Sequence, residues 1–322
     1  MALELVRETI HADMQAVDGV IRARLHSEVA LIRQISEYII NSGGKRLRPV
    51  LVLLSSGVFG YQGVWHHELA AVVEFIHTAT LLHDDVVDES SLRRGNATAN
   101  ALFGNAASVL VGDFLYSRAF QMMVGVNNMR VMEVLSEATN VIAEGEVLQL
   151  LNCNDADIDE ESYLKVIRYK TAKLFEAAAR LGAILGGSGE SDEAAMAEYG
   201  MRLGTAFQLI DDVLDYSGDH NETGKNVGDD LAEGKPTLPL LYAMKHGTPE
   251  QAALIRGAIE NGGLEEFGPV LAAIGETGAL EYTRQQAQKE IDAACAAISH
   301  LPHSKHKDSL LELATFSVAR SY

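Results

Sequence analysis

Cysteine is nearly absent. The 322 residues hold two, Cys153 and Cys295, far apart and in no metal-binding spacing. That excludes a disulfide framework and a zinc-thiolate site, and leaves two small apolar side chains expected in a core kept under reducing conditions. Proline is scarce as well, with six in all, and no Pro-rich or Ser/Gly-rich linker interrupts the chain. One domain spanning 1–322 is expected. Basic residues are few: Lys and Arg number 26 against 45 Asp and Glu, for a net charge of −19. So acidic a chain lacks the basic surface that nucleic acid requires, and anionic lipid does not attract it. Long apolar runs are missing too. The most apolar stretch, residues 69–82, contains Glu74 and His77 and falls short of the roughly 20 apolar residues of a membrane span. Residues 1–14 carry Glu4, Glu8 and Asp13, with neither the basic nor the apolar region of a signal peptide. A soluble, cytoplasmic protein is expected.

What is present is helix. Hydrophobic residues make up 47%, Ala, Leu, Glu, Met and Gln are common, and apolar residues recur at three- and four-residue spacing. The pattern predicts helices over 4–41 (broken once), 49–59, 66–89, 97–124, 127–151, 160–186, 192–217, 236–246, 249–261, 264–273, 276–300 and 304–320. No segment alternates cleanly enough to require a strand. Turn residues fall between these spans, at 41–44, 94–96, 186–189, 217–219 and 262–263. Pro49 and Pro236 suit the first turn of a helix. No repeat at solenoid periods occurs. The fold class is all-α, a single-domain bundle of long helices.

Two acidic pentads stand at the ends of long apolar helical stretches: Asp84-Asp85-Val86-Val87-Asp88 and Asp211-Asp212-Val213-Leu214-Asp215. Six carboxylates in such positions repel one another unless cations lie between them. Hard oxygen ligands at this density suit Mg²⁺, which commonly completes its shell with substrate phosphates. On the first helix His77, Leu81, Asp84 and Asp88 share one stripe, so Asp84 and Asp88 can reach the same ion, and Asp85 lies about 100° away. Aspartate after an apolar run sits at the helix end where the dipole disfavours anions, which itself argues for a bound cation. Arg93 and Arg94 follow closely and project differently, so each could grip a different phosphate group. Glu74 near the stripe suits either a ligand or the partner of a basic side chain.

On the second helix Gly204, Gln208, Asp211, Asp212 and Asp215 share a face. Beyond it Lys225 and Lys235 occupy glycine-bordered loops, where lysines are plausible phosphate contacts. Near the start, Gly43-Gly44-Lys45-Arg46-Leu47-Arg48-Pro49 puts three cations before a helix N-terminus, an anion site in an otherwise acidic chain. A second, metal-free anion site fits an enzyme with two diphosphate substrates.

These residues, with Lys170-Thr171, resemble the trans-polyprenyl diphosphate synthases nearly end to end. The resemblance implies the isoprenoid synthase fold, two acidic helices facing a central cavity in an all-helical bundle, and a homodimer. It implies Mg²⁺ ligated by Asp84, Asp88 and Asp211, with Asp85, Asp212 and Asp215 in support. Lys45, Arg48, His77 and Arg94 would hold isopentenyl diphosphate. Arg93, Lys170, Thr171, Gln208, Lys225 and Lys235 would face the allylic diphosphate. Lys170 and Gln208 join the aspartates as catalytic candidates, and the Gln208 carbonyl would stabilise the allylic cation. No side chain stands out as a general base, and the leaving diphosphate takes that role in the family. Residues 319–322 are less basic than the tail associated with the family.

In that family bulky aromatics five and four positions before the first pentad close the tail pocket. Here Ala79 and Thr80 stand there, which implies a long product for a quinone side chain, of octaprenyl type, grown from farnesyl diphosphate. Tyr38, Phe120, Met122 and Met123 are floor candidates. Products from geranylgeranyl to decaprenyl remain open, and a transient membrane contact for product release is a further expectation. A terpene cyclase would carry Asn or Ser in its second metal motif, and a regulatory subunit would lack one pentad; neither departure occurs here.

Overall fold

The computed structural model describes residues 3–41, 43–93, 95–217 and 228–320. The helices are α1 (Glu4–Arg24), α2 (Ala30–Asn41), α3 (Leu47–Val58), α4 (Trp65–Val87), α5 (Ala99–Phe103), α6 (Asn105–Val126), α7 (Met129–Asn152), α8 (Glu160–Ile167), α9 (Lys173–Leu185), α10 (Glu190–Ser217), α11 (Asp229–Ala232), α12 (Leu238–His246), α13 (Pro249–Asn261), α14 (Phe267–Thr277), α15 (Ala279–Ala297) and α16 (Lys305–Ala319). The all-α expectation holds, since the strands are two residues each. Leu92–Arg93 (β1) pairs antiparallel with Asn96–Ala97 (β2), a ladder that no alternating pattern announced. No helix among the described residues is long and apolar enough to cross a membrane.

Several helix boundaries depart from the periodicity, among them the helix expected at 264–273, which runs Phe267–Thr277. The span expected at 97–124 breaks at Gly104, whose φ of 87° ends α5 and starts α6; only glycine takes that conformation without a Cβ penalty. The span expected at 160–186 contains a π-helical turn, Arg168–Ala172, between α8 and α9. Pro236 lies outside its helix: Thr237 is the N-cap of α12, and Pro239 occupies the first turn, where a missing N–H costs nothing. The two cysteines are half-buried rather than core residues.

The chain forms two compact units. The first takes residues 1–139, 174–200 and 297–313. Its centre is α3, buried on almost every side from Leu47 to Val58, and α4, whose Leu69, Ala70, Val72, Val73, Phe75 and Ile76 are fully enclosed. Burial of each large aliphatic or aromatic side chain contributes about 2 kcal/mol, and it is this packing that holds α4 in place up to its acidic end. Tyr199 donates from its buried hydroxyl to the Leu310 carbonyl at 2.6 Å, so no polar atom there is left wanting.

The second unit takes residues 140–173, 201–296 and 314–322. Its core joins Tyr216, Leu231, Leu240, Ile255, Ile259, Val270 and Ile274. Phe267 stacks on Tyr216 with centroids 6.4 Å apart. Gly145 on α7 abuts the π turn: a Cβ there would stand 2.6 Å from the Lys170 nitrogen, so the close approach requires glycine.

Candidate active site

The first acidic pentad closes α4. Asp88 is its C-cap, and its N–H donates to the Asp84 carbonyl at 2.8 Å. The two half-buried carboxylates therefore sit one turn apart, as the stripe required. Asp85 points the other way and is fully buried. Its Oδ1 accepts from Arg93 Nε at 2.8 Å and pairs with Nη2 at 2.6 Å, while Oδ2 has no hydrogen-bond partner. Burial pushes the Asp85 carboxyl up; the Arg93 hydrogen bond and charge oppose this, and Asp84 and Asp88 add to it. The short β1–β2 ladder carries Arg93 back to this carboxylate, and Asn100 Nδ2 ties down the Asp85 carbonyl at 3.0 Å.

Beside Asp85 opens a cleft lined among others by Tyr38, Gly43, Glu74, His77, Asp85 and Arg93. The structure thus brings together the glycine loop, the histidine and one arginine of the expected diphosphate sites. Lys45 is exposed on the loop before α3, and the half-buried Arg48 lies with its guanidinium 4.6 Å from the Phe175 ring centroid. Arg46, between them, is paired with Asp18. That separates it from the two neighbours expected at the anion site. Arg94 lies outside the described residues.

The second pentad closes α10. Asp212 is buried, and its two oxygens accept from Gln208 Nε2 at 2.8 Å and from the Tyr163 hydroxyl. Thr171 donates to Gln208 Oε1 at 3.1 Å. Thr171, Gln208 and Asp212 are therefore one hydrogen-bonded relay, which fixes the Gln208 amide. Burial, then the charge of Asp230, pushes the Asp212 carboxyl up to about 8. Asp215 Oδ2 accepts from the Asp230 N–H at 3.3 Å. The Asp211 side chain is 41% exposed, and it pairs with Arg320 Nη1 at 2.7 Å. Lys170, on the π turn, meets Glu146 Oε2 at 2.6 Å, and Lys235 pairs with Glu233. Lys225 lies outside the described residues.

Taken unit by unit, Asp84 and Asp88 one turn apart in the first, and the part-exposed Asp211, which already attracts a cation, in the second, each offer the hard oxygen donors that a divalent ion prefers. A family model described as polyprenyl synthetase matches residues 29–270. The chain belongs to the polyprenyl synthetase family. It is 58% identical over 321 residues to octaprenyl diphosphate synthase of Escherichia coli (strain K12), covering 99% of each chain. It is 53% identical over 323 residues to octaprenyl diphosphate synthase of Haemophilus influenzae, covering 100% of this chain and 98% of that one. Its structure matches that of a polyprenyl synthase from Caulobacter crescentus CB15 complexed with calcium and isoprenyl diphosphate, with a TM-score of 0.96, 44% identity, and coverage of 99% and 98%.

Within this polyprenyl synthetase the chain-length candidates separate. Ala79, Met122 and Met123 are buried, and the half-buried Thr80 hydroxyl is satisfied by the His77 carbonyl at 2.8 Å. Phe120 is half-buried, its ring centroid 5.6 Å from that of Tyr116. Tyr38 lines the cleft with His77 and Asp85, donating to the Ala97 carbonyl at 2.6 Å. Three partners of the expected residues are not marked in the sequence: Tyr163 beside Asp212, Glu146 beside Lys170, and Arg320 beside Asp211. Tyr163 and Glu146 carry no motif, and their contacts appear only once α8 and α7 are placed; Arg320 was visible as the lone cation of an unremarkable tail.

Proposed function

We propose that the protein is a long-chain all-trans polyprenyl diphosphate synthase. It condenses isopentenyl diphosphate repeatedly onto farnesyl diphosphate to give an octaprenyl product for a quinone side chain. The observation that carries this reading is the end-to-end identity of 58% with an octaprenyl diphosphate synthase, which covers both acidic pentads and the loop at Lys45 and Arg48.

In this reading Asp84, Asp88 and Asp211 hold Mg²⁺, with Asp85, Asp212 and Asp215 behind them. Bound Mg²⁺ supplies Lewis-acid charge to the departing diphosphate. Lys45, Arg48, His77 and Arg94 hold isopentenyl diphosphate. Arg93, Lys170, Thr171, Gln208, Lys225 and Lys235 serve the allylic diphosphate, whose negative charge grows as the C–O bond breaks and which those cations therefore stabilise most in the transition state. The Thr171–Gln208–Asp212 relay supports Gln208 as a fixed dipole beside the allylic cation. Arg93 gains a second duty, since it also neutralises the buried Asp85. The departing diphosphate accepts the proton that the new bond releases.

The same proposal takes residues 1–322 as one synthase domain, cytoplasmic, meeting the membrane transiently to release its product, and assembled as a homodimer. The last point has support in exposed apolar side chains on α6 and at the start of α7: Leu110 at 67%, Val124 at 65% and Met129 at 73%. Large apolar side chains exposed to this degree suit an interaction surface.

Incubating the purified protein alone with isopentenyl diphosphate, farnesyl diphosphate and Mg²⁺ tests the reading. Chromatography of the dephosphorylated products should give a dominant eight-unit chain. A cyclic hydrocarbon, or no product until a second chain is added, would overturn it.

A further inference from the structure

We infer that Arg320 is a resident counter-ion of Asp211, which divalent cations must displace to load the second acidic pentad. The inference rests on the reading of Asp211 as a metal ligand given above.

The geometry is that of a built site rather than a chance surface pair. Arg320 follows α16, and its side chain is only 2% exposed. Nε donates to the Ser317 carbonyl at 3.2 Å, and Nη2 donates to the Phe207 carbonyl. The guanidinium carbon lies 3.8 Å from the centroid of the Phe207 ring, a cation–π contact. Nη1 remains, and it meets Asp211 Oδ1 at 2.7 Å. The guanidinium is thus pinned by α10 and α16 on three sides and aims its remaining charge at one oxygen of an accessible carboxylate.

A planar guanidinium and a divalent ion cannot both occupy the inner face of one carboxylate oxygen. They also repel: a guanidinium and a divalent ion about 4 Å apart near a protein surface interact strongly enough to change a binding constant roughly tenfold once solvent screening is allowed for. The neighbouring carboxylates do not relieve Asp211 of this competitor. Asp212 is committed to Gln208 and Tyr163, and Asp215 accepts the Asp230 amide. Arg320 therefore serves the metal-free protein in two ways. It offsets the repulsion within the pentad, and it raises the cation concentration needed to load Asp211. The step involves no bond-making beyond ion exchange. The carboxylate passes from guanidinium to cation, and the guanidinium keeps its Ser317 and Phe207 contacts or moves away with the segment after α16.

The test is equilibrium binding of Mn²⁺, read from the electron paramagnetic resonance of the free ion in the presence of inorganic diphosphate. Four chains are compared: the natural sequence, Arg320→Gln, Arg320→Lys and Asp211→Asn. Arg320→Gln should bind about tenfold tighter, whereas Arg320→Lys should stay within a few-fold of the natural sequence. Unchanged or weaker binding by Arg320→Gln, with Asp211→Asn clearly weakened, overturns the counter-ion role and leaves the ligand reading standing. Unchanged binding by Asp211→Asn removes the ligand reading itself. Should Arg320→Gln fail to fold, hydrogen exchange on the natural sequence decides the matter. Mg²⁺ and inorganic diphosphate should speed exchange of the amides at 314–320 if Arg320 is displaced, and unaltered or slowed exchange overturns the inference.

Discussion

Asp85 and Arg93 show how much one side chain's direction matters. Asp84 and Asp85 are adjacent and chemically identical, yet one is half open and the other fully enclosed. Enclosure makes Asp85 dependent on Arg93. Removing one partner of a buried ion pair costs about 3–5 kcal/mol, because the remaining charge is stranded. Arg93 is itself partly exposed, so Arg93→Gln should cost toward the low end, about 3 kcal/mol in urea unfolding. Adding Asp85→Asn should restore much of that loss, since a neutral amide needs no counter-ion; a double variant no more stable than the single would show that the pair does not hold the loop. A second residue-scale prediction concerns His66. It is buried at the start of α4, with Nε2 3.4 Å from Asp13, and the His67 Nε2 also reaches that carboxylate at 2.9 Å. Burial, then the neighbouring charge of His67, holds the His66 imidazole below its usual 6.5; burial does the same to His306. Both rings are therefore neutral in the native protein at a pH where the unfolded chain already binds protons. The unfolded state gains these protons first, so what the two rings contribute to stability is full above 6.5 and declines as pH falls below it. The Asp212 carboxyl, raised to about 8, acts in the opposite sense, because the native protein binds that proton first. His66→Gln should therefore shift the balance of urea midpoints between pH 7.5 and pH 5.5 in favour of pH 5.5. An unchanged balance in the variant would remove His66 as a contributor.

At the scale of elements, legibility tracked periodicity. Helix α4 was readable nearly to the residue because apolar positions dominate from Leu69 to Leu82 and its aspartates follow at helical spacing. The break at Gly104 was not, because α5 and α6 together keep one composition and a glycine inside a helical pattern is only a weak signal. The π turn at Arg168–Ala172 was invisible for a different reason: one extra residue shifts the pattern by a single position, within the tolerance of any periodic match. Yet that turn presents Lys170 and Thr171, which is why the motif could be named and its conformation could not. The two-residue ladder at Arg93 is too short for alternation to register. Helix α4 also carries the chain-length prediction. Ala79 lies two turns before the acidic end and is fully buried, so a larger side chain there must project into space that the growing prenyl tail is proposed to use. Ala79→Tyr should shift the dominant product from eight units to a markedly shorter chain while condensation continues. A product of unchanged length on chromatography would detach α4 from the control of chain length and leave Met122 and Met123 on α6 to account for it.

At the scale of the whole molecule, charge and apolar surface pull in opposite directions. A net charge of −19 keeps copies of the chain apart at long range, but solution salt screens such repulsion beyond about 8 Å. Contact is then decided by local surface. Leu110, Val124 and Met129 are each exposed by two thirds or so, and all three lie in the first compact unit. Leu110 and Val124 sit on α6, the helix whose buried residues include Met122 and Met123. A homodimer that covered α6 would therefore stiffen the helix proposed to end the tail pocket, linking assembly to product length. Replacing Leu110 and Met129 together with glutamate puts two like charges per chain into that surface, four where two copies meet. Light scattering on the eluting protein should then give a mass near the 34.8 kDa of one chain in place of twice that value. The monomer should stay folded, because both positions are solvent-exposed, and its products should spread over several lengths as α6 loosens. A variant that still elutes as a dimer would move the interface elsewhere. A monomer with an unaltered, single product would keep the interface and break its link to chain length.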